Sequence, residues 1–105
     1  MPDYKELLNE LLTYTANQKA SDLLLSPANF PTIRLFGRLV PLKKYNILDP
    51  ETLEGMIDSL LEAKKSRFQV EKEIDFSYAV NQEARFRVNI YQTKGVPAAT
   101  FRFIP

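Results

Sequence analysis

Arg85-Phe86-Arg87-Val88-Asn89-Ile90-Tyr91 and, one connection later, Ala99-Thr100-Phe101-Arg102-Phe103-Ile104 are two runs with an apolar residue at every second position. A period of two is the pattern of a strand with one buried face. The preceding stretch continues it, with Ile74, Phe76, Tyr78 and Val80 alternating with Asp75, Ser77 and Ala79. Joined by Asn81-Gln82-Glu83 and by Gln92-Thr93-Lys94-Gly95-Val96-Pro97, the three runs predict an antiparallel meander. Register follows, because a slip of one residue would turn Phe86, Val88 and Ile90 onto the wrong face. Apolar residues match when Ile90 faces Ala99, Val88 faces Phe101 and Phe86 faces Phe103. The other face then sets Asn89 against Thr100 and Arg87 against Arg102, with Arg85 nearby opposite Ile104. On the first hairpin the same logic puts Ser77 opposite Arg87 and Asp75 one diagonal step away.

Upstream, Leu7, Leu8, Leu11, Leu12 and Ala16 recur at helical spacing between Asp3 and Gln18, predicting a first helix. Ser21-Asp22-Leu23-Leu24-Leu25-Ser26, ended by Pro27, is too short for a helix and reads as a buried strand covered on both faces. After Pro31, the alternation of Ile33 and Leu35 with Arg34 and Phe36 breaks at Gly37 and resumes with Leu39, Val40 and Leu42. A tight hairpin at Phe36-Gly37-Arg38 fits. Asp49-Pro50-Glu51 is a helix start, with a capping carboxylate and a proline where no N–H is needed. Leu53, Met56, Ile57, Leu60 and Leu61 form that helix's apolar face. A further helical stretch from Lys64 to Glu71 is expected to turn Phe68 and Val70 inward. The order of elements predicts an α+β domain with helices on one face of an antiparallel sheet.

The 105 residues suffice for one domain. Apolar residues at 45% and charged residues at 26% are those of a folded globular module. A formal charge of +1 gives no long-range field of one sign, so any anion site must be local. With neither cysteine nor histidine, disulfides, thiolate nucleophiles, imidazole bases and the usual zinc ligands are excluded. Neither a secretory leader nor a run of eighteen apolar residues is present. The three glycines, Gly37, Gly55 and Gly95, are too widely spaced for a phosphate-cradling G-x-x-x-x-G-K-[ST] loop, so these residues alone cannot hydrolyse a nucleotide by that route.

One constellation carries chemistry. Arg87 facing Arg102 costs from a few tenths to about 1 kcal/mol, which calls for compensation. Either Asp75 or a nearby glutamate bridges them, or the two, with Arg85, form a fork for a phosphate or carboxylate supplied from outside the domain. Single-stranded nucleic acid is disfavoured, since Phe86, Phe101 and Phe103 fall on the core face and leave no stacking platform. Asp22 beside Ser21 lacks an activator and reads as a polar strand or turn residue. Arg34 and Arg38 flank the hairpin glycine as solvated side chains or as interface residues. Glu71, Glu73 and Asp75 cluster without metal-loop spacing, and no metal site is expected.

Ala20-Ser21-Asp22-Leu23-Leu24-Leu25-Ser26, Pro31-Thr32-Ile33-Arg34 with Gly37-Arg38-Leu39, Arg85-Phe86-Arg87-Val88-Asn89, and Phe101-Arg102-Phe103-Ile104-Pro105 resemble, in this order, the amino-terminal domain of type IV pilus retraction ATPases. The family commonly has a histidine where Leu24 stands. A start at Met1 without a preceding docking domain is similar to the retraction type rather than to assembly or secretion ATPases. The resemblance implies one PAS-like domain over residues 1–105, with five to six strands, sitting above a RecA-like catalytic core outside this sequence. It implies that Arg87 and Arg102, and with less support Arg85, face nucleotide phosphates between the domains. It also implies ATP and Mg in the full-length parent but no cofactor in this domain. The partners implied are the core of the same and the adjacent subunit of a homo-hexamer and a pilus inner-membrane platform protein, with no nucleic acid, at the cytoplasmic face of the inner membrane. Two rivals are the equivalent domain of an assembly or type II secretion ATPase and a free-standing PAS-like interaction module.

Overall fold

A computed structural model describes residues 3–105. Helix α1 (Tyr4–Asn17) is followed by strands β1 (Asp22–Leu25), β2 (Thr32–Leu35) and β3 (Arg38–Pro41). Helix α2 (Pro50–Leu61), a 3₁₀ turn (Glu62–Lys64) and α3 (Lys65–Glu71) lead into β4 (Glu73–Ala79), β5 (Arg85–Thr93) and β6 (Val96–Ile104). The strands form one antiparallel sheet of order β3-β2-β1-β6-β5-β4, so the domain is α+β as expected. Leu8, Leu11 and Leu12 of α1 and Leu53, Met56 and Ile57 of α2 join Leu23, Ile33, Phe86, Val88, Ile90 and Phe101 in one core. Both helices pack on the same face of the sheet, and its other face is open.

Local chemistry explains the elements. Asp49 caps α2, its Oδ1 accepting from Thr52 N at 2.8 Å, with Pro50 in the first turn. Phe36 and Gly37 sit at φ of 51° and 78°, the left-handed pair that a two-residue hairpin requires, and glycine tolerates this far better than phenylalanine. Lys94 and Gly95, at 52° and 79°, make the same turn between β5 and β6, a tighter connection than the Gln92–Pro97 loop expected. Pro97 lies within β6, but β1 pairs with β6 only as far as Ala99, so no ladder bond is asked of the missing N–H on that side.

Two expectations need correction, and two further burial patterns follow from the packing. Val70 is 81% exposed, because it stands two residues from Phe68 and so on the opposite side of α3, which commits Phe68 alone to the core. Strand β1 is not covered on both faces: Leu23 and Leu25 enter the core while Leu24, on the open face, is half-buried. In α1 it is Thr15 that is fully buried and Ala16 half-buried, the threonine being satisfied by donating Oγ1–H to Leu11 O at 2.7 Å. Leu39 and Val40 are exposed, since β3 is an edge strand without a helix over it.

Candidate functional site

Every cross-strand pair inferred for the last two hairpins is present, including Arg87 opposite Arg102, Asn89 opposite Thr100, Arg85 opposite Ile104 and Ser77 opposite Arg87. Strand β1 extends the row, since Asp22 is the partner of Arg102 on one side and of Arg34 on the other. Leu39, Arg34, Asp22, Arg102, Arg87 and Ser77 therefore form one line across all six strands on the open face. From Arg34 to Arg87 is three strand spacings, about 14 Å.

The compensation for the opposed arginines comes from Asp22, not from Asp75. Asp22 is only 3% exposed. Its Oδ1 accepts from Arg102 Nε–H at 3.2 Å, and its Oδ2 lies 3.5 Å from Arg34 Nε and accepts from Ser21 Oγ–H at 2.6 Å. A buried carboxylate is stable only when so surrounded. Asp75 is occupied elsewhere, sharing Asn89 Nδ2–H with Glu73, both at 3.3 Å. Among the described residues no carboxylate lies within ion-pair distance of Arg87. Three arginines and one aspartate leave the row with a formal charge of +2.

Arg87 and Arg102 line a shallow groove of about 310 Å³ with Asp75, Asn89 and Thr100. Arg102 has a side-chain exposure of 74% and uses only its Nε–H on Asp22, which leaves the four N–H groups of its terminal nitrogens for an external acceptor. Arg85 is exposed but lies two residues further along β5 and does not line the groove. The arrangement can therefore receive an oxyanion on two adjacent guanidinium groups. Among the described residues there is no group of three or more carboxylates that could hold a metal ion, and no helix is long and apolar enough to cross a membrane.

Sequence reasoning missed Asp22 and Arg34 as members of this group. The available signal was a charged residue set between Ala20 and Leu23 at the head of a buried strand. A larger open depression of about 980 Å³ lies along α1. There Lys44 Nζ sits 4.0 Å from the Tyr14 ring centroid, and Tyr45 donates its hydroxyl to Glu10 Oε2 at 2.7 Å. Burial, and then that hydrogen bond, push the Tyr45 hydroxyl up to about 12. These four groups satisfy one another in pairs.

No protein-family model matches the chain. Among curated proteins it is 36% identical over 101 residues to the type IV pilus retractation ATPase PilT of Pseudomonas aeruginosa, an alignment spanning 93% of this chain and 28% of that protein. It is 35% identical over 78 residues to a twitching motility protein of Neisseria gonorrhoeae, covering 71% of this chain and 20% of the relative. The crystal structure of the pilus retraction motor PilT with bound ADP superposes with a TM-score of 0.83 at 25% identity, over 93% of this chain and 29% of that one. Over nearly its whole length the chain is similar to one part of PilT. The ATPase DotB of Legionella pneumophila shares the fold, with a TM-score of 0.80 at 22% identity over 96% of this chain and 29% of that one. This PilT-like chain spans less than a third of the proteins it matches.

Proposed function

We propose that this domain is the nucleotide-sensing and ring-assembly module of a motor that retracts type IV pili, and that Arg87 and Arg102 present its cation pair to the phosphates of ATP. The carrying observation is the direct opposition of these two side chains on the open face, with a partner that engages only one of them. A pair of like charges is retained against its own repulsion when a polyanion completes it, and two guanidinium groups suit the oxygens of a phosphate chain. Nucleotide and Mg are held by a RecA-like core outside these 105 residues, which also supplies the phosphate loop. Arg102 and Arg87, with Arg85 as an outlying member, stabilise charge as the terminal phosphoryl group leaves. Rotation of this domain against the core of the same or the next subunit of a homo-hexamer then turns hydrolysis into pulling, with the force passed to a platform protein at the cytoplasmic face of the inner membrane. The likeness to PilT, a pilus retraction motor, supports retraction over assembly.

The test is ATP turnover by the full-length parent carrying Arg87→Ala or Arg102→Ala. Loss of one preorganised cation is expected to lower turnover by at least about tenfold. Unchanged turnover in both variants would remove the arginine role.

A further inference from the structure

We infer that Asp22 is a positioning residue for the phosphate-facing pair, and that Arg34 offsets its charge so that the aim of Arg102 is fixed without its positive charge being cancelled. The inference rests on the anion-binding role of Arg87 and Arg102 and adds two residues that line no part of their groove.

Asp22 touches Arg102 through Nε, the inner edge of the guanidinium, and not through its terminal nitrogens. That contact fixes the plane and direction of the group while leaving its outer N–H fork open, much as a fork is made ready when a second hydrogen bond holds its stem. The carboxylate cannot wander, because Ser21 Oγ–H holds Oδ2 at 2.6 Å and the residue is almost wholly enclosed. Charge is the difficulty with such a brace, since one carboxylate beside one arginine leaves little for an incoming anion. Arg34 supplies the answer: its Nε stands 3.5 Å from Asp22 Oδ2, and its Nη1 donates to Gly37 O at 3.4 Å, so it is tied back to the β2–β3 hairpin and away from the groove. Asp22 and Arg34 together are a neutral bracket, and the remaining charge of +2 is that of Arg102 and Arg87. The ligand class that suits two aimed guanidinium groups side by side is a polyphosphate with at least two phosphoryl groups, in preference to a single phosphate.

The experiment distinguishes aiming from simple attraction by the sign of the effect. Inorganic tripolyphosphate is titrated into the chain at low salt, with the arginine Nε–H resonances followed by NMR, for wild type, Asp22→Asn, Arg34→Met, Arg87→Met and Arg102→Met. Asp22→Asn removes a negative charge beside the groove, so a site governed by net charge alone would bind more tightly. With Asp22 as a positioning residue it binds about three- to tenfold more weakly, a loss of up to about 1.4 kcal/mol, and the Arg102 Nε–H resonance loses its sharp dispersed position. Arg34→Met leaves Asp22 to cancel Arg102 and weakens binding by a similar factor, although Arg34 is outside the groove. Unchanged or tighter binding in Asp22→Asn, with its amide spectrum native, overturns the inference while leaving the arginine pair standing. If Arg87→Met and Arg102→Met themselves bind as wild type does, or wild type shows no arginine shifts, the anion-binding reading falls and this inference with it.

Discussion

Replacing Arg87 by methionine, and separately Arg102 by methionine, should move stability in opposite directions although the two side chains face each other. Methionine keeps an unbranched stem of similar reach and removes charge and donors. At position 87 the change relieves a like-charge cross-strand contact between two exposed groups, one without a carboxylate partner, so a gain of about 0.3–0.5 kcal/mol is expected. At position 102 the same change strips Oδ1 of the buried Asp22 of its partner. Breaking a buried pair outright costs about 3–5 kcal/mol, but Arg34 and Ser21 still hold Oδ2, so a loss of about 1–2 kcal/mol is the better figure. The two variants should then differ by about 2 kcal/mol, or roughly 10 °C in midpoint for a domain of this size. Thermal and urea unfolding at low salt measure it. Repeating the melts at about 1 M salt, where the screening length is near 3 Å, should erase the gain at 87 and leave the loss at 102. Equal losses in both variants, or a loss at 102 that salt abolishes, would show that Asp22 is not the buried counter-ion of this row.

At the β2–β3 turn, Phe36 is 93% exposed with φ at 51°, so Phe36→Asn gives up no burial and relieves a left-handed strain, raising stability by about 1 kcal/mol in a thermal melt. Gly55 lies inside α2 against the Tyr4 ring of α1, and an added β-carbon would overlap that ring. The helix-propensity gain of Gly55→Ala, about 1 kcal/mol, is outweighed by an overpacking cost of about 1–3 kcal/mol, so it destabilises, and adding Tyr4→Ala should recover part of the loss in urea titrations. The Thr52 N–H held by Asp49 lowers that carboxyl below its ordinary 3.8. Because the folded value is the lower one, its contribution to stability is present above 3.8 and lost as pH falls through the folded value. Asp49→Asn keeps an acceptor at the cap and should flatten that part of the acid limb when stability is followed against pH.

What could be read from the chain alone was whatever is local or periodic. Alternation at Phe86, Val88, Ile90, Phe101 and Phe103 fixed the β5–β6 register, because one face must be apolar throughout. The cap at Asp49 and the turn at Gly37 were legible for the same reason, each being set by a few adjacent residues. Asp22 was not, because its partner Arg102 is eighty positions away and nothing in either segment specifies that β1 lies beside β6. Without that pairing Asp75 was the nearest carboxylate in register, and it proved to serve Asn89. Val70 failed differently: residues two apart fall on opposite sides of a helix, so Phe68 and Val70 could not both turn inward.

The pairing of β1 with β6 also governs how the polypeptide comes into being. An early hairpin and a late meander can each form as they leave the ribosome, but the sheet has no middle until its last strand has been synthesised and docks between them. Until then β1 and β5 each keep a hydrogen-bonding edge open, and closure must bridge nearly the whole chain, which makes the final step slow beside those before it. A nascent chain stalled short of Thr100 would therefore be two separate half-sheets, with Asp22 still waiting for its arginine.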